Sequence, residues 1–187
     1  MTIPLMVLAF LAAFAGLLGI PHLIGGILPG HPPNILENFI AISLKYRNIA
    51  VESCFVLRIA AENGWKIVEI SLRATNAEKP NRRMFYEAGV EEFLSLVKYA
   101  ECVITNSFHG MIFAVQYCRP FYVFSREQCD TKITELLDLF GLSNHMLVTE
   151  AEKKNMSEIN YEEVHGRIAE ARKESLEFLY TELTSCV

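Results

Sequence analysis

From Asn38 onward the hydrophobic positions alternate between a two-residue and a helical period. "NFIAISL" (Asn38 to Leu44) predicts a strand. "NIAVESCFVLRIAAENG" sets Val51, Phe55, Ile59 and Ala60 at helical spacing and stops on Asn63-Gly64, a pair that suits a helix end. "WKIVEISL" (Trp65 to Leu72) predicts a second strand and "RATNAEKPNRRM" a polar loop. "VEEFLSLVKYA" (Val90 to Ala100) reads as an amphipathic helix with Phe93, Leu94 and Val97 on one side. "CVIT" reads as a buried strand and "GMIFAVQYC" as a buried helix, with Phe113 and Val115 expected beside the sheet. "PFYVF" is a strand opened by a proline, "TKITELLDLFG" a helix closed by Gly141, and "HMLV" a short last strand. Asn160 with Glu163 resembles a capping box; from there Tyr161, Val164, Ile168, Ser175, Leu176 and Leu179 mark a long helix. Strands that alternate with helices, the inner ones apolar on both faces, predict an α/β fold: a Rossmann-like parallel sheet with helices on both faces.

The chain before Asn38 is different. Asp, Glu, Lys and Arg are absent until Glu37, and Ile3 to Leu28 is a nearly continuous apolar run. About 20 such residues suffice to cross a bilayer's hydrocarbon core as a helix. Pro4 and Pro21 interrupt the run, and no basic residue precedes it, which argues against a secretory signal peptide. Two readings stand: a membrane-inserted segment, or an apolar helix that packs on the soluble part or is disordered. "GGILPGHPPN" (Gly25 to Asn34) is the natural punctuation, so the expected domains are 1–34, apolar, and 35–187, Rossmann-like. Lys45 and Arg47 favour a cytoplasmic C-terminal part, anchored at the inner face of the plasma membrane if the segment inserts.

Charge and cysteine content narrow the function classes. A net charge of −5 over 187 residues argues against a protein that coats nucleic acid. The five cysteines form no CxxC pair, and three sit in apolar runs, as reduced buried thiols do. Neither a zinc site nor a disulfide framework is expected, and no metal or cofactor is assigned.

The candidate chemistry lies in "TNSFHG", Thr105 to Gly110, between the strand "CVIT" and the helix "GMIFAVQYC". Ligands of parallel sheets bind at the carboxyl ends of strands. The first turn of a helix presents unpaired amides, an anion site. Ser107 or Asn106 suits the helix cap, Gly110 allows close approach to the backbone, and His109 can donate a hydrogen bond or a proton to an arriving anion. Taken alone the pattern also fits an ordinary cap followed by a half-buried histidine.

"YAECVITNSFHGMIFAVQYCRPFYVF" followed by "TKITELLDLFGLSNHML" resembles the polysaccharide pyruvyl transferase family, with its T-[ND]-S-F-H-G turn, buried helix, K/R-P-F strand and following helix. "GVEEFLSLVKYAE" and "NYEEVHGRIAEARKESLEFL" are similar to two further family helices, so the likeness runs from about Asn38 to Leu183. It implies the C-terminal half of a two-domain glycosyltransferase-B-like fold. It also implies transfer of an enolpyruvyl or pyruvyl group from phosphoenolpyruvate to a sugar of a cell-surface polysaccharide, as in exopolysaccharide biosynthesis. His109 is then the catalytic residue, acid or phosphate clamp, and Asn106, Ser107, Phe108, Gly110, Arg73 and Lys132 bind substrate. Arg82 and Arg83 are further loop cations that can face the cleft; Lys132 and His145 stand where the family often has arginine. The family's N-terminal half is replaced by Met1 to about Pro33, so the enzyme is expected to be incomplete without such a partner half. That segment weakly resembles a membrane stretch of the proton-pumping NADH dehydrogenase chain 5 family. The alternative is a non-catalytic anion-binding half-domain, or a truncated or fused fragment.

Overall fold

The computed structural model describes residues 38–43, 49–71, 82–86, 88–124, 130–147 and 157–185. The apolar run Ile3 to Leu28, the boundary near Asn34 and Arg73 lie outside the described residues. The order of elements is β1 (Phe39–Ser43), α1 (Ile49–Asn63), β2 (Lys66–Ser71), β3 (Arg82–Tyr86), α2 (Val90–Tyr99), β4 (Cys102–Thr105), α3 (Phe108–Gln116), β5 (Phe121–Phe124), α4 (Asp130–Phe140), a 3-10 turn (Ser143–His145), β6 (Met146–Leu147) and α5 (Tyr161–Ser185). Two compact units result. The described part of one is Asn38 to Tyr161; that of the other is Glu162 to Ser185. Within α5, Arg167 pairs with Glu163 one turn back at 2.8 Å, and the Ser175 hydroxyl donates to the Ala171 carbonyl.

The six strands form one sheet in the order β3-β2-β1-β4-β5-β6, all parallel. That is the doubly wound order, and it confirms the Rossmann-like fold. The inner strands β1, β4 and β5 are apolar because both of their faces are covered. On one face Ile40, Ile42, Ile67, Cys102, Ile104, Tyr122, Phe124 and Leu147 pack with Phe55, Val56, Ile59 and Ala60 of α1. The Phe55 ring stands edge-on to Tyr122 and Phe124, with centroids 5.3 and 6.2 Å apart. On the opposite side α2 and α3 pack together, Phe93 edge-on to Phe113 at 6.0 Å. Met111, Ala114 and Val115 of α3 are buried, but Phe113 is only half-buried. The expectation of a fully packed Phe113 is therefore corrected: its ring lies in the α2–α3 seam and stacks on Tyr117, away from the closed core.

Strand β3 was absent from the sequence reading, which placed Arg82 and Arg83 in a loop. They open the edge strand instead, paired through Ile67↔Arg82 and Val68↔Arg83. An edge strand tolerates charge because its outer side faces solvent. Arg83 is exposed, with its guanidinium 4.9 Å from the centre of the Phe85 ring.

Three helices end alike. Trp65 N–H donates to Ala60 O, Arg119 N–H to Ala114 O and Leu142 N–H to Leu137 O, the wide hydrogen bond of a Schellman motif. The residue that must turn left-handed is Gly64 (φ 67°) after α1 and Gly141 (φ 72°) after α4, but Cys118 (φ 53°) after α3. A side chain there costs roughly 1–2 kcal/mol. Cys118→Gly is accordingly expected to stabilise the fold by about 1 kcal/mol, read as a higher denaturation midpoint with an unchanged denaturant slope. Among the described residues no helix is long and apolar enough to cross a membrane.

Candidate functional site

The strand order reverses direction between β1 and β4. The chain leaves β1 toward β2 on one side and leaves β4 toward β5 on the other, so α1 and α3 depart to opposite faces. A crevice opens at the carboxyl ends of two such strands. In the register, Ser43 ends β1 opposite Thr105, which ends β4. The turn Asn106 to Gly110 therefore sits at this switch point, where the sequence argument expected a ligand.

The turn is held from below. Thr105 is fully buried and Asn106 is 5 % exposed. Ser107 occupies the cap position of α3, yet its hydroxyl makes no capping bond. Its backbone is bonded on both sides: Met111 N–H donates to Ser107 O at 3.1 Å as the first bond of the helix ladder, and Ser107 N–H donates to Thr105 Oγ1 at 3.0 Å. The amides before Met111 lie outside the helix's own ladder, at its positive end. His109 is exposed on this first turn, its ring edge-on to Phe108 at 5.6 Å, and Phe108 is half-buried.

Gly110 has a more specific reason than ligand approach. A Cβ at this position would collide with Thr105 Oγ1 and lie 3.1 Å from Thr105 Cβ and 3.4 Å from Cγ2. The space a side chain would need here belongs to Thr105. Gly110→Ala is expected to cost about 1–3 kcal/mol as an overpacked site, measured by chemical denaturation.

Of the other named residues, Lys132 is exposed in the first turn of α4, which follows β5 and so begins at the same carboxyl edge of the sheet. His145 lies elsewhere. It precedes β6, at the amino edge, and is 2 % exposed. Its Nδ1 is 2.9 Å from the Phe121 carbonyl, which can only accept, so Nδ1 donates; Nε2 is 3.2 Å from Ser157 Oγ. Ser157 N–H in turn donates to the Tyr122 hydroxyl at 3.1 Å. His145 thus ties β5 to the segment before α5 and stands apart from the turn. At the same edge Arg119 Nη1 reaches Ala100 O at 3.5 Å, and the Tyr161 hydroxyl donates to Arg119 O, its phenol kept protonated by burial. The thiol of Cys102, enclosed in β4, is pushed up to about 12 by burial and is chemically quiet. Among the described residues no group of three His, Cys, Asp or Glu side chains is placed to hold a metal ion.

The sequence reading passed over Thr105 as a member of the turn's machinery. The signal was the strand–Thr–x–Ser order itself, since a threonine two residues before a helix cap can accept the cap's amide.

Several solved structures resemble the fold. The glycotransferase of kitacinnamycin matches at 16% identity and a TM-score of 0.47, covering 83% of this chain and 42% of its own. The UDP-GlcNAc 2-epimerase of Methanocaldococcus jannaschii, in complex with UDP-GlcNAc and UDP, matches at 16% and 0.45, covering 80% and 46%. The glycosyltransferase SnogD of Streptomyces nogalater matches at 16% and 0.41, covering 80% and 43%. The chain spans less than half the length of each, and likeness of this degree assigns no substrate. No curated protein matches the sequence. The family described as polysaccharide pyruvyl transferase matches residues 29–128, more than half of the chain and the whole region from β1 through the His109 turn to β5. The chain belongs to the polysaccharide pyruvyl transferase family.

Proposed function

We propose that this chain serves a transferase that moves the pyruvyl unit of phosphoenolpyruvate onto hydroxyls of a polysaccharide sugar, with His109 at the reacting group. The observation that carries the reading is an exposed histidine on the first turn of α3, at the switch point of a parallel sheet, within the matched family region. Phosphoenolpyruvate brings a phosphate and a carboxylate. The positive end of α3 suits one of them, and Lys132 at the start of α4 supplies a cation at the same edge.

The chemistry balances without a cofactor. A proton adds to the methylene carbon of phosphoenolpyruvate, and positive charge develops on the carbon that bears the phosphate oxygen. A sugar hydroxyl attacks that carbon and surrenders its own proton. The bond from the carbon to the phosphate oxygen breaks, inorganic phosphate leaves, and a second hydroxyl closes the ketal and releases the other proton. His109, when protonated, can donate the first proton or hold the departing phosphate. The acceptor side of the cleft falls to a partner half. Contact with a membrane would come through residues 3–28.

The test is release of inorganic phosphate from phosphoenolpyruvate by the full chain, with a sugar polymer as acceptor, with and without a separately supplied N-terminal half from a family member. Acceptor-dependent phosphate release, with the pyruvyl group recovered on the polymer, is expected. Phosphoenolpyruvate binding without release under both conditions would favour the anion-binding half-domain instead.

A further inference from the structure

Two independent contacts in the turn converge on one side chain. Ser107 N–H donates to Thr105 Oγ1 at 3.0 Å. Three residues further on, the backbone of Gly110 lies so close to Thr105 that even a methyl group would strike Oγ1. The Thr105 side chain thus touches the turn on both sides of His109. Thr105 is itself immobilised: it is fully buried, it ends β4, and its backbone is in register with Ser43 of β1 and Val123 of β5. His109, by contrast, is exposed, and its ring meets Phe108 edge-on. The position of the imidazole is therefore set by the backbone beneath it.

We infer that Thr105 is the positioning residue of this site: its buried hydroxyl anchors the Ser107–Gly110 turn to the central strand and so fixes where His109 presents its ring. The role rests on the reading of His109 given above, and it acts through the backbone without contact to substrate. Thr105 thereby supplies an acceptor at the point where the chain enters the helix, at a cap residue whose own hydroxyl makes no capping bond.

Two substitutions separate anchoring from packing. Thr105→Val keeps the shape and removes the acceptor; Thr105→Ser keeps the acceptor and removes a methyl group. The full chain, labelled at backbone nitrogen and at histidine, is compared in the three forms. In Thr105→Val the Ser107 amide should exchange with solvent about tenfold faster, the scale of one lost hydrogen bond. The His109 ring resonances should move, and phosphoenolpyruvate affinity should fall about fivefold to tenfold. Thr105→Ser should restore all three toward the parent, even where its unfolding midpoint is lower, since rescue tracks the hydroxyl and stability tracks the methyl. Unchanged Ser107 exchange and unchanged His109 resonances in Thr105→Val would overturn the inference. So would a Thr105→Ser protein that moves them as far as Thr105→Val does. If Thr105→Val does not fold, the parent decides: a protected Ser107 amide with near-parent ring signals in Thr105→Ser supports the anchor, and an amide that exchanges at the unprotected rate refutes it. A parent that fails to bind phosphoenolpyruvate counts against the transferase reading alone, and the amide and ring signals then judge Thr105.

Discussion

Phe121→Ala is expected to destabilise the fold by about 3–5 kcal/mol, while Phe113→Ala, on the helix that carries His109, costs only about 1–2 kcal/mol. Phe121 opens β5, has no exposed surface, pairs with Val103 of the central β4 and lies 5.5 Å from the His145 ring. Truncation leaves a cavity in a region that cannot collapse, because strands bound it on either side. Phe113 is half-buried in the seam between α2 and α3, so water already reaches part of its ring. Urea denaturation of both variants checks the order. Equal losses, or a larger loss at Phe113, would mean that the packing described for β5 and α3 is wrong.

His109→Ala is expected to reduce pyruvyl transfer by about a hundredfold or more, the usual contribution of a positioned acid, and to leave stability within about 0.5 kcal/mol. The side chain is exposed on the first turn of α3, so its removal opens no cavity. His109→Gln divides the two roles. Its amide can still donate a hydrogen bond to phosphate but does not titrate near neutrality. Near-normal turnover in Gln assigns His109 to clamping the anion; binding without turnover assigns it to proton donation. Parent-like transfer in both variants would remove His109 from the chemistry. A large stability loss in His109→Ala would instead mark it as a packing residue.

The fold was legible where period and composition agree. "CVIT" is short, β-branched and flanked by polar residues, and β4 occupies those four positions. Asn63-Gly64 and Gly141 announced helix ends, and both glycines are left-handed. Strand β3 was hidden because "RRMFY" begins with two arginines, and a window that scores apolar alternation rejects them; only the partner strand β2 reveals that the outer side of this strand is an edge. Phe113 misled for the opposite reason. "GMIFAVQYC" is apolar except for Gln116, so the sequence only weakly marks which side turns outward.

The site shows the same division. The turn's location follows from a strand run into a helix start, and His109 is placed there as expected. Gly110 was ambiguous, since a missing side chain signals close approach without naming what approaches; the distance to Thr105 names it. His145 shared a sequence neighbourhood with the expected cations, but the 3-10 turn that carries it precedes β6 and puts it at the amino edge, bonded to the Phe121 carbonyl. The edges of a parallel sheet alternate along the chain, so a histidine that begins the expected strand "HMLV" already belonged to the amino edge; the spacing from the helix "TKITELLDLFG" does not show this by itself.

The central claim is that the His109 turn receives phosphoenolpyruvate. It is tested most directly by the amide spectrum of the nitrogen-labelled full chain as phosphoenolpyruvate is added. The account predicts saturable shifts centred on Ser107, Phe108, His109 and Gly110, weaker shifts at the start of α4 near Lys132, and none at the amino-edge residues His145 and Arg119. Saturable shifts at the amino edge with an unmoved turn would contradict it, as would an unmoved spectrum at phosphoenolpyruvate concentrations that support phosphate release.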